Sequence, residues 1–501
     1  MLCVVRCSSF FFRRFESSLL DRTNSSLRPI FTTLPPPQSV ITAPHHINRH
    51  ITRIMSDKPQ VSFIGLGAMG FGMAANLVKE GFPVTGFDVW APTLERFREA
   101  GGQTATTPAE AVAGKPFCVC MVATAQQAQS VLLGENNRDP DAAVEALPTG
   151  AVVLLCSTVP CAYVQSLEKQ IKQRGRDDVL LVDCPVSGGA VRAAAGTLSI
   201  MAGASKAAIE KSRAVLQAMS DPEKLYIVEG GIGAGSNMKM CHQVLAANQI
   251  LSASEGLGFA ARLGLDLNTV AQQIVDSEGG SWMMENRLQR LLNEEHLPIA
   301  SAITIILKDT SIITAEARRV EYPTPMTSAA EQVYFASLSR GYGSHDDSSL
   351  IRLYKEGDGA VGPVQGTATA DEVKKALVVG LLKGIHLCAA AETLAFAAHV
   401  GLDLDQVFEL CINAAGGSKI LSQVGPSIVK ILKGESAGSD DIPTLAAFAK
   451  DLGAAVEEAQ RLKIPIFLGN AALNLIRLSL KHSGGSSSTA KSDSVVRVWK
   501  A

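Results

Sequence analysis

An α/β half followed by an all-α half written twice is the architecture that this sequence predicts, on three observations. From Val61 the chain alternates short apolar runs with glycine turns and amphipathic stretches of helical period, the pattern of a parallel sheet with helical crossovers. After Gly233 the strand signals stop and helical periods take over. Within that second region EGLGFAARLGLDL (Glu255–Leu267) recurs as ETLAFAAHVGLDL (Glu392–Leu404), and Gly279-Gly280-Ser281 recurs as Gly416-Gly417-Ser418 at the same offset. The expected divisions are a presequence-like segment 1–56, an α/β domain 57–230, a helical domain 231–355, a linker 356–371 and a second, degenerate helical domain 372–501.

Composition narrows the function classes. The 501 residues carry a formal net charge of −2 and 47% hydrophobic content, with no basic excess to suggest a nucleic-acid partner. No apolar run approaches the ~18 residues that would suggest a membrane span, so none is expected. The ten cysteines show no paired CxxC spacing, so neither disulfides nor a metal site is expected, and Cys241 reads as a small buried hydrophobe. Ahead of the α/β half, Arg6, Arg13, Arg14, Arg22, Arg28, Arg49 and Arg53 face only Glu16 and Asp21, and lysine is absent. That composition resembles a mitochondrial presequence, and Met55 offers an alternative start that would leave the protein in the cytoplasm.

The first βαβ unit reads VSFIGLGAMGFGMAANLVKEGFPVTGFDVW. Gly65 suits the tight turn, Gly67 the close approach of a pyrophosphate, and Gly70 the packing of helix on strand. The backbone from Gly65 through Leu66, Gly67, Ala68 and Met69 to Gly70 is therefore expected to face a dinucleotide. Asp88, ending the next strand, can accept bonds from a ribose 2′-hydroxyl and repels a 2′-phosphate, and no arginine stands at 89–92, so NAD is favoured over NADP. Further Rossmann-type strands are expected at Pro116–Val122 and Ala151–Thr158, with Met121, Val122 and Thr158 at the mouth of the sheet. In DCPVSGG (Asp183–Gly189), Ser187, Gly188 and Gly189 offer a hydroxyl and open amides to a carboxylate.

The stretch GAGSNMKMCHQVLAANQ (Gly233–Gln249) reads as a helix linking the two halves. Gly233 and Gly235 allow the turn into it, and Ser236 or Asn237 is expected to cap its first turn. Lys239, His242 and Gln243 stand at i, i+3 and i+4, so an amine, an imidazole and an amide share one face.

With GLGAMG, DCPVSGG and GAGSNMK in this order, residues 59–352 resemble the β-hydroxyacid dehydrogenases, whose helical domain is of the 6-phosphogluconate dehydrogenase-like type. The resemblance implies NAD-dependent oxidation of a small hydroxy acid, with Lys239 as acid/base, Ser187, Gly188 and Gly189 holding the substrate carboxylate, and Lys308 of the Lys308-Asp309 pair beside the nicotinamide ribose. Members acting on 3-hydroxyisobutyrate carry an Asn-Asn pair where this chain has His242-Gln243. That departure, with GGSWMMENR (Gly279–Arg287), is similar to the branch acting on L-threonate and D-erythronate. A second substrate hydroxyl needs a polar partner, and an imidazole or amide supplies one. The alternatives are 3-hydroxyisobutyrate oxidation and a non-catalytic dinucleotide-binding scaffold.

Lys308-Asp309 recurs as Lys450-Asp451 and Pro323 as Pro465 at a slightly larger offset, which places a short insertion near AGSDD (Ala437–Asp441) in the second copy. Ala376, Val379 and Gly380 stand where Lys239, His242 and Gln243 stand in the first copy, so the second copy reads as a packing partner without the chemistry. Members of this family commonly pair helical domains between subunits. By that resemblance an internal pseudo-dimer is expected, with room for further homo-oligomerisation. Whether Lys308 or Lys450 reaches the cofactor, and whether Lys375 reaches the cleft, are left open by the sequence.

Overall fold

The computed structural model describes residues 58–134, 139–293, 299–355, 371–435, 441–482 and 488–500. The presequence-like segment, nearly all of the expected linker and almost all of AGSDD lie outside them. All described elements belong to one unit, Ser56–Ala501.

The chain runs through β1 (Val61–Ile64), α1 (Gly70–Lys79), β2 (Val84–Phe87), α2 (Ala91–Glu99), β3 (Gln103–Thr104), α3 (Pro108–Val112) and β4 (Phe117–Cys120). It continues through α4 (Ala125–Leu133), α5 (Ala143–Ala146), β5 (Val152–Leu155), α6 (Cys161–Gln173) and β6 (Leu180–Asp183). These strands form one parallel sheet in the order β3-β2-β1-β4-β5-β6. Every residue of β1, β4 and β5 is buried, as a sheet covered by helices on both faces requires. Strand order reverses between β1 and β4, and the crevice beyond their carboxyl ends is where such sheets bind ligands. The strands expected at Pro116–Val122 and Ala151–Thr158 are shorter, because β1 offers only four residues for pairing, Val61 opposite Phe117 to Ile64 opposite Cys120. Met121, Val122 and Thr158 therefore fall in the loops of the crevice.

A second sheet, β7 (Val186–Ser187), β8 (Leu198–Ala202) and β9 (Ser220–Ile227), is bridged by α7 (Gly189–Ala195) and α8 (Lys206–Met219). It leads into α9 (Ala234–Arg262), of which almost every residue is buried. The helices α10 (Leu267–Asp276), α11 (Trp282–Leu292), α12 (Ile303–Arg319), α13 (Pro325–Ser339) and α14 (Arg352–Lys355) complete the first helical half, with a 3-10 turn at Asp347–Ile351.

The second half consists of α15 (Asp371–His399), α16 (Leu404–Ile412), α17 (Lys419–Lys433), α18 (Leu445–Leu462) and α19 (Phe467–His482), then a 3-10 turn at Ser492–Val498. Its helix starts repeat the spacing of the first half: α15, α16 and α17 follow α9, α10 and α11 at one constant offset, and α18 and α19 follow α12 and α13 at a slightly larger one. Contrary to the expectation from the sequence, α15 is long and apolar enough, by length and composition, to cross a membrane. Most of its apolar window, 83%, is buried within the protein, where it packs along α9 as a central core helix.

Contacts between the halves are reciprocal. The Trp282 N–H donates to the Gly417 carbonyl at 2.9 Å, and the N–H of Lys419, which opens α17 as Trp282 opens α11, donates to the Gly280 carbonyl at 3.1 Å. Glu255, on α9, accepts from the Phe467, Leu468 and Gly469 N–H groups that open α19, and from the Tyr354 hydroxyl. Glu392, its counterpart on α15, accepts from the Met326 and Thr327 N–H groups that open α13. Each half thus satisfies free N–H groups at a helix start in the other.

Both carboxyls are fully buried, and desolvation outweighs their hydrogen bonds, pushing each up to about 7. A raised folded-state value means that their contribution to stability is fully present below the ordinary carboxyl range and lost as pH rises through 7. The urea midpoint of the wild type should therefore fall between pH 5 and 8, and Glu255→Gln should flatten that fall. Glu255→Ala, which leaves three buried donors and the part-buried Phe467 N–H without their acceptor, should cost about 3 kcal/mol or more in the same titration.

Candidate active site between the sheet and the linking helix

The glycine turn after β1 closes only because two side chains are missing. A Cβ on Gly70 would lie 1.9 Å from the Gly65 carbonyl oxygen, and one on Gly65, where φ is +93°, would lie 2.3 Å from the Met121 carbonyl oxygen. Gly67 faces open space, with nothing within 4 Å of its Cβ direction. The first turn of α1 carries no acidic residue, so the positive end of that helix is available to a phosphate. Leu66 is buried, whereas Ala68 is exposed and Met69 half-buried.

Asp88 follows β2 and is pinned from both sides. Its Oδ2 accepts from the Leu66 N–H at 2.7 Å and its Oδ1 from the Trp90 N–H at 2.9 Å. Each oxygen keeps acceptor capacity for a ribose diol, and the open Gly67 leaves room for a pyrophosphate, so the residues present fit NAD. Bound there, NAD supplies a nicotinamide that accepts hydride. On the far side of the crevice, buried Ser157 accepts from the Val122 N–H at 2.9 Å, holding the ends of β4 and β5 together.

The linking helix α9 starts differently from expectation. Gly233, at φ +97°, precedes its first residue, and no side chain of its own caps it. Ser236 is already helical. Its N–H and hydroxyl both donate to the carboxylate of Asp183 at the end of β6, at 2.7 and 2.8 Å. The cap is thus supplied from the sheet, far away in sequence. Gly235 lets the helix press against that strand, since a Cβ there would lie 2.4 Å from the Asp183 carbonyl oxygen. Burial pushes the Asp183 carboxyl up to about 7 against the opposing pull of these hydrogen bonds.

One turn beyond Ser236 stands Lys239, only 5% exposed. Burial lowers its ammonium to about 8, with Asp309 pulling it up and Lys308 pushing it down. His242 is fully buried and held near 3, first by burial and then by the Lys239 charge, so its ring is neutral at physiological pH. Gln243 donates from Nε2 to Asp309 Oδ2 at 2.6 Å and meets His242 Nδ1 through its Oε1 at 3.0 Å. Lys308, on α12, donates to the Thr158 carbonyl at 3.3 Å and forms an ion pair with Asp309 at 3.0 Å that lacks hydrogen-bond alignment. The structure therefore gathers Lys239, His242, Gln243 and Lys308 with Thr158 at the mouth of the sheet.

Ser187, Gly188 and Gly189 stand at the start of α7, where the glycines are exposed and the first turn holds no acid. Among the described residues no hydrogen bond ties them to the Lys239 cluster. Lys450 is exposed, and Lys375 bonds Gln273 and Glu372. Gly380, counterpart of Gln243, packs against the Asp451 backbone. Sequence reasoning missed Asp183, Ser157 and the link from Asp309 to Gln243. The eight described cysteines are buried free thiols, and the described residues contain no group of three or more His, Cys, Asp or Glu side chains suited to a metal.

Family models match both the sheet half and the helical half of the chain. Residues 60–231 match the family model of the NAD binding domain of 6-phosphogluconate dehydrogenase. Residues 233–354, and again 370–498, match the model described as NAD-binding of NADP-dependent 3-hydroxyisobutyrate dehydrogenase. An L-threonate dehydrogenase of Cupriavidus necator is 35% identical over 294 residues, covering 59% of this chain and 95% of the relative. A crystal structure of a Salmonella typhimurium 3-hydroxyisobutyrate dehydrogenase is 30% identical at a TM-score of 0.53, covering 59% of this chain and all of the other. The Plasmodium falciparum 6-phosphogluconate dehydrogenase shares the fold over 84% of this chain and 92% of its own, at a TM-score of 0.62 and 17% identity. Fold and site define an NAD-dependent dehydrogenase. More narrowly, the chain belongs to the β-hydroxyacid dehydrogenase family, and its activity is NAD-dependent oxidation of a hydroxy acid.

Two outcomes follow from the geometry. With Lys239 as the base that the resemblance implies, only its neutral form accepts a proton, so the rate of alcohol oxidation should rise with pH through about 8 and then level, and Lys239→Ala should lack that rise while small added amines partly restore it. Asp88→Arg removes the ribose acceptor and supplies a phosphate partner, so the ratio of kcat/KM for NAD over NADP should fall; an unchanged ratio would remove Asp88 from cofactor selection.

Proposed function

We propose that the chain oxidises a four-carbon sugar acid of the L-threonate or D-erythronate kind. Lys239 accepts the proton of the reacting hydroxyl in oxidation and returns it in reduction. Ser187, Gly188 and Gly189 receive the substrate carboxylate, Lys308 stands beside the nicotinamide ribose, and His242, held in place by Gln243, meets a further hydroxyl. The observation that carries this reading is His242 Nε2, which is buried and has no partner among the described residues. An orphaned buried polar atom costs about 1–3 kcal/mol, a cost that a substrate hydroxyl removes and a methyl group does not.

The similarity to the C. necator L-threonate dehydrogenase supports the same choice. Oxidation of 3-hydroxyisobutyrate is the second reading, favoured by the similarity to the Salmonella 3-hydroxyisobutyrate dehydrogenase. A non-catalytic scaffold has less support, since burial brings Lys239 to about 8, within reach of proton exchange, and an idle scaffold need not retain that lysine. We also propose that the second helical half is a tandem copy of the first that replaces a neighbouring subunit's domain. The recurrence of helix starts and the double match of one family model support this. Mitochondrial import by residues 1–54 is part of the proposal and is testable with a fused fluorescent reporter.

The deciding experiment follows NADH absorbance with L-threonate, D-erythronate and 3-hydroxyisobutyrate. Higher kcat/KM on a sugar acid is expected; preference for 3-hydroxyisobutyrate would favour the second reading, and inertness toward all hydroxy acids the scaffold. Lys239→Ala should still bind NAD yet lose about 10²- to 10⁴-fold in turnover. His242→Asn combined with Gln243→Asn should depress oxidation of the sugar acid more than that of 3-hydroxyisobutyrate; equal losses would make the pair structural.

A further inference from the structure

The hydrogen bonds around Gln243 determine more than its own orientation. The Asp309 carboxylate, ion-paired with Lys308, can only accept, so the 2.6 Å contact fixes the Gln243 amide with its nitrogen toward Asp309. Its oxygen must then be the atom that meets His242 Nδ1 at 3.0 Å. An amide oxygen can only accept as well, so the proton of the imidazole lies on Nδ1. A neutral ring with hydrogen on Nδ1 presents a bare lone pair at Nε2, the buried atom without a partner among the described residues.

We propose that Asp309, acting through Gln243, is a positioning residue that sets the tautomer of His242 and makes the pocket an acceptor selecting substrates with a hydroxyl hydrogen to donate there. The inference rests on the substrate-facing role given to His242 above. A polyhydroxy acid satisfies Nε2, whereas an acid carrying methyl there leaves it unpaired. The second helical half holds a natural control. Its Lys450-Asp451 pair is retained, but Gly380 replaces Gln243 and Val379 replaces His242, so the pair relays nothing. Lys383 lies 4.0 Å from Asp451 and binds Glu278 as well, a surface ion-pair arrangement instead.

The test reads the tautomer directly, by long-range nitrogen–proton NMR of the full chain with labelled histidine at neutral pH, assigning the His242 signal with His242→Asn. The expected resting state is protonated at Nδ1; an Nε2-protonated ring overturns the relay whatever the substrate. In Asp309→Asn the new amide can donate to Gln243, which turns over and donates to Nδ1. His242 should then carry its proton on Nε2, and selectivity for L-threonate over 3-hydroxyisobutyrate should fall about tenfold or more. Since Asp309 also raises the Lys239 ammonium, Gln243→Leu provides a charge-neutral break of the relay, for which the same loss of selectivity is expected. Unchanged selectivity in both variants overturns the proposal. If the wild type oxidises no sugar acid, the functional reading fails by itself, while the NMR signal still decides whether the relay exists.

Discussion

The placement of Lys239, the proposed acid/base, depends on one carboxylate. Asp183 ends the last strand of the parallel sheet and accepts two hydrogen bonds from Ser236 in the first turn of α9. A helix start leaves N–H groups without partners, and here their acceptor is bolted to the sheet. The consequence is geometric. Ser236 and Lys239 stand at i and i+3 and share a face, so fixing the first fixes where the second projects. The same sheet carries the glycine turn and Asp88, and its loop carbonyl at Thr158 receives Lys308 from α12. These two ties, at the neighbouring ends of β5 and β6, hold the helical half against the sheet on one side of the crevice.

Burial then does the electrostatic work. Lys239 and His242 are both on the inside of a helix that is enclosed on nearly every face, and desolvation disfavours the charged form of each. The two shifts differ in purpose. Lys239 stays close enough to neutrality to exchange a proton, because Asp309 opposes its desolvation. No carboxylate among the described residues opposes the desolvation of His242, which is driven to a fixed neutral state, suited to hydrogen bonding and not to proton transfer. One acidic residue, in contact with Gln243 and near Lys239, thus separates the proposed acid/base from the proposed recognition group a single turn apart.

Those parts of the molecule governed by local sequence were legible in it. The glycine turn, the strand ending at Asp88 and the shared face of Lys239, His242 and Gln243 follow from short-range rules. The constant spacing of the repeated stretches likewise anticipated the recurrence of helix starts. What escaped was every interaction between residues far apart. Ser236 carries a capping side chain and stands near a glycine, so local rules made it the cap; the acceptor came instead from Asp183, which no spacing rule could connect to it. Glu255 and Glu392 were visible within the repeated stretch, yet their role at the starts of α19 and α13 exists only once the halves pack. Strand ends were overestimated because ladder length is set by the neighbouring strand. The apolar length of α15 escaped because its few charged residues are dispersed through small apolar ones.

A second helical half without Lys239, His242 or Gln243 still acts on the site through α9. The Gln249 side chain of that helix donates to the Gly416 carbonyl, and a Cβ on Gly416 would press against Leu245 at 3.1 Å. Further along, Gly256 lies so close to Leu382 of α15 that a Cβ on it would stand 2.9 Å from that side chain. From α16, Gln406 donates to the carbonyl of Ile227, the last residue of β9 before the chain turns toward α9. An isolated first half would lose these contacts and present Leu245 and its apolar neighbours to water along the element that carries Lys239. What the second half contributes is therefore its packing face and its reciprocal caps, and none of these contacts involves Ala376, Val379 or Gly380.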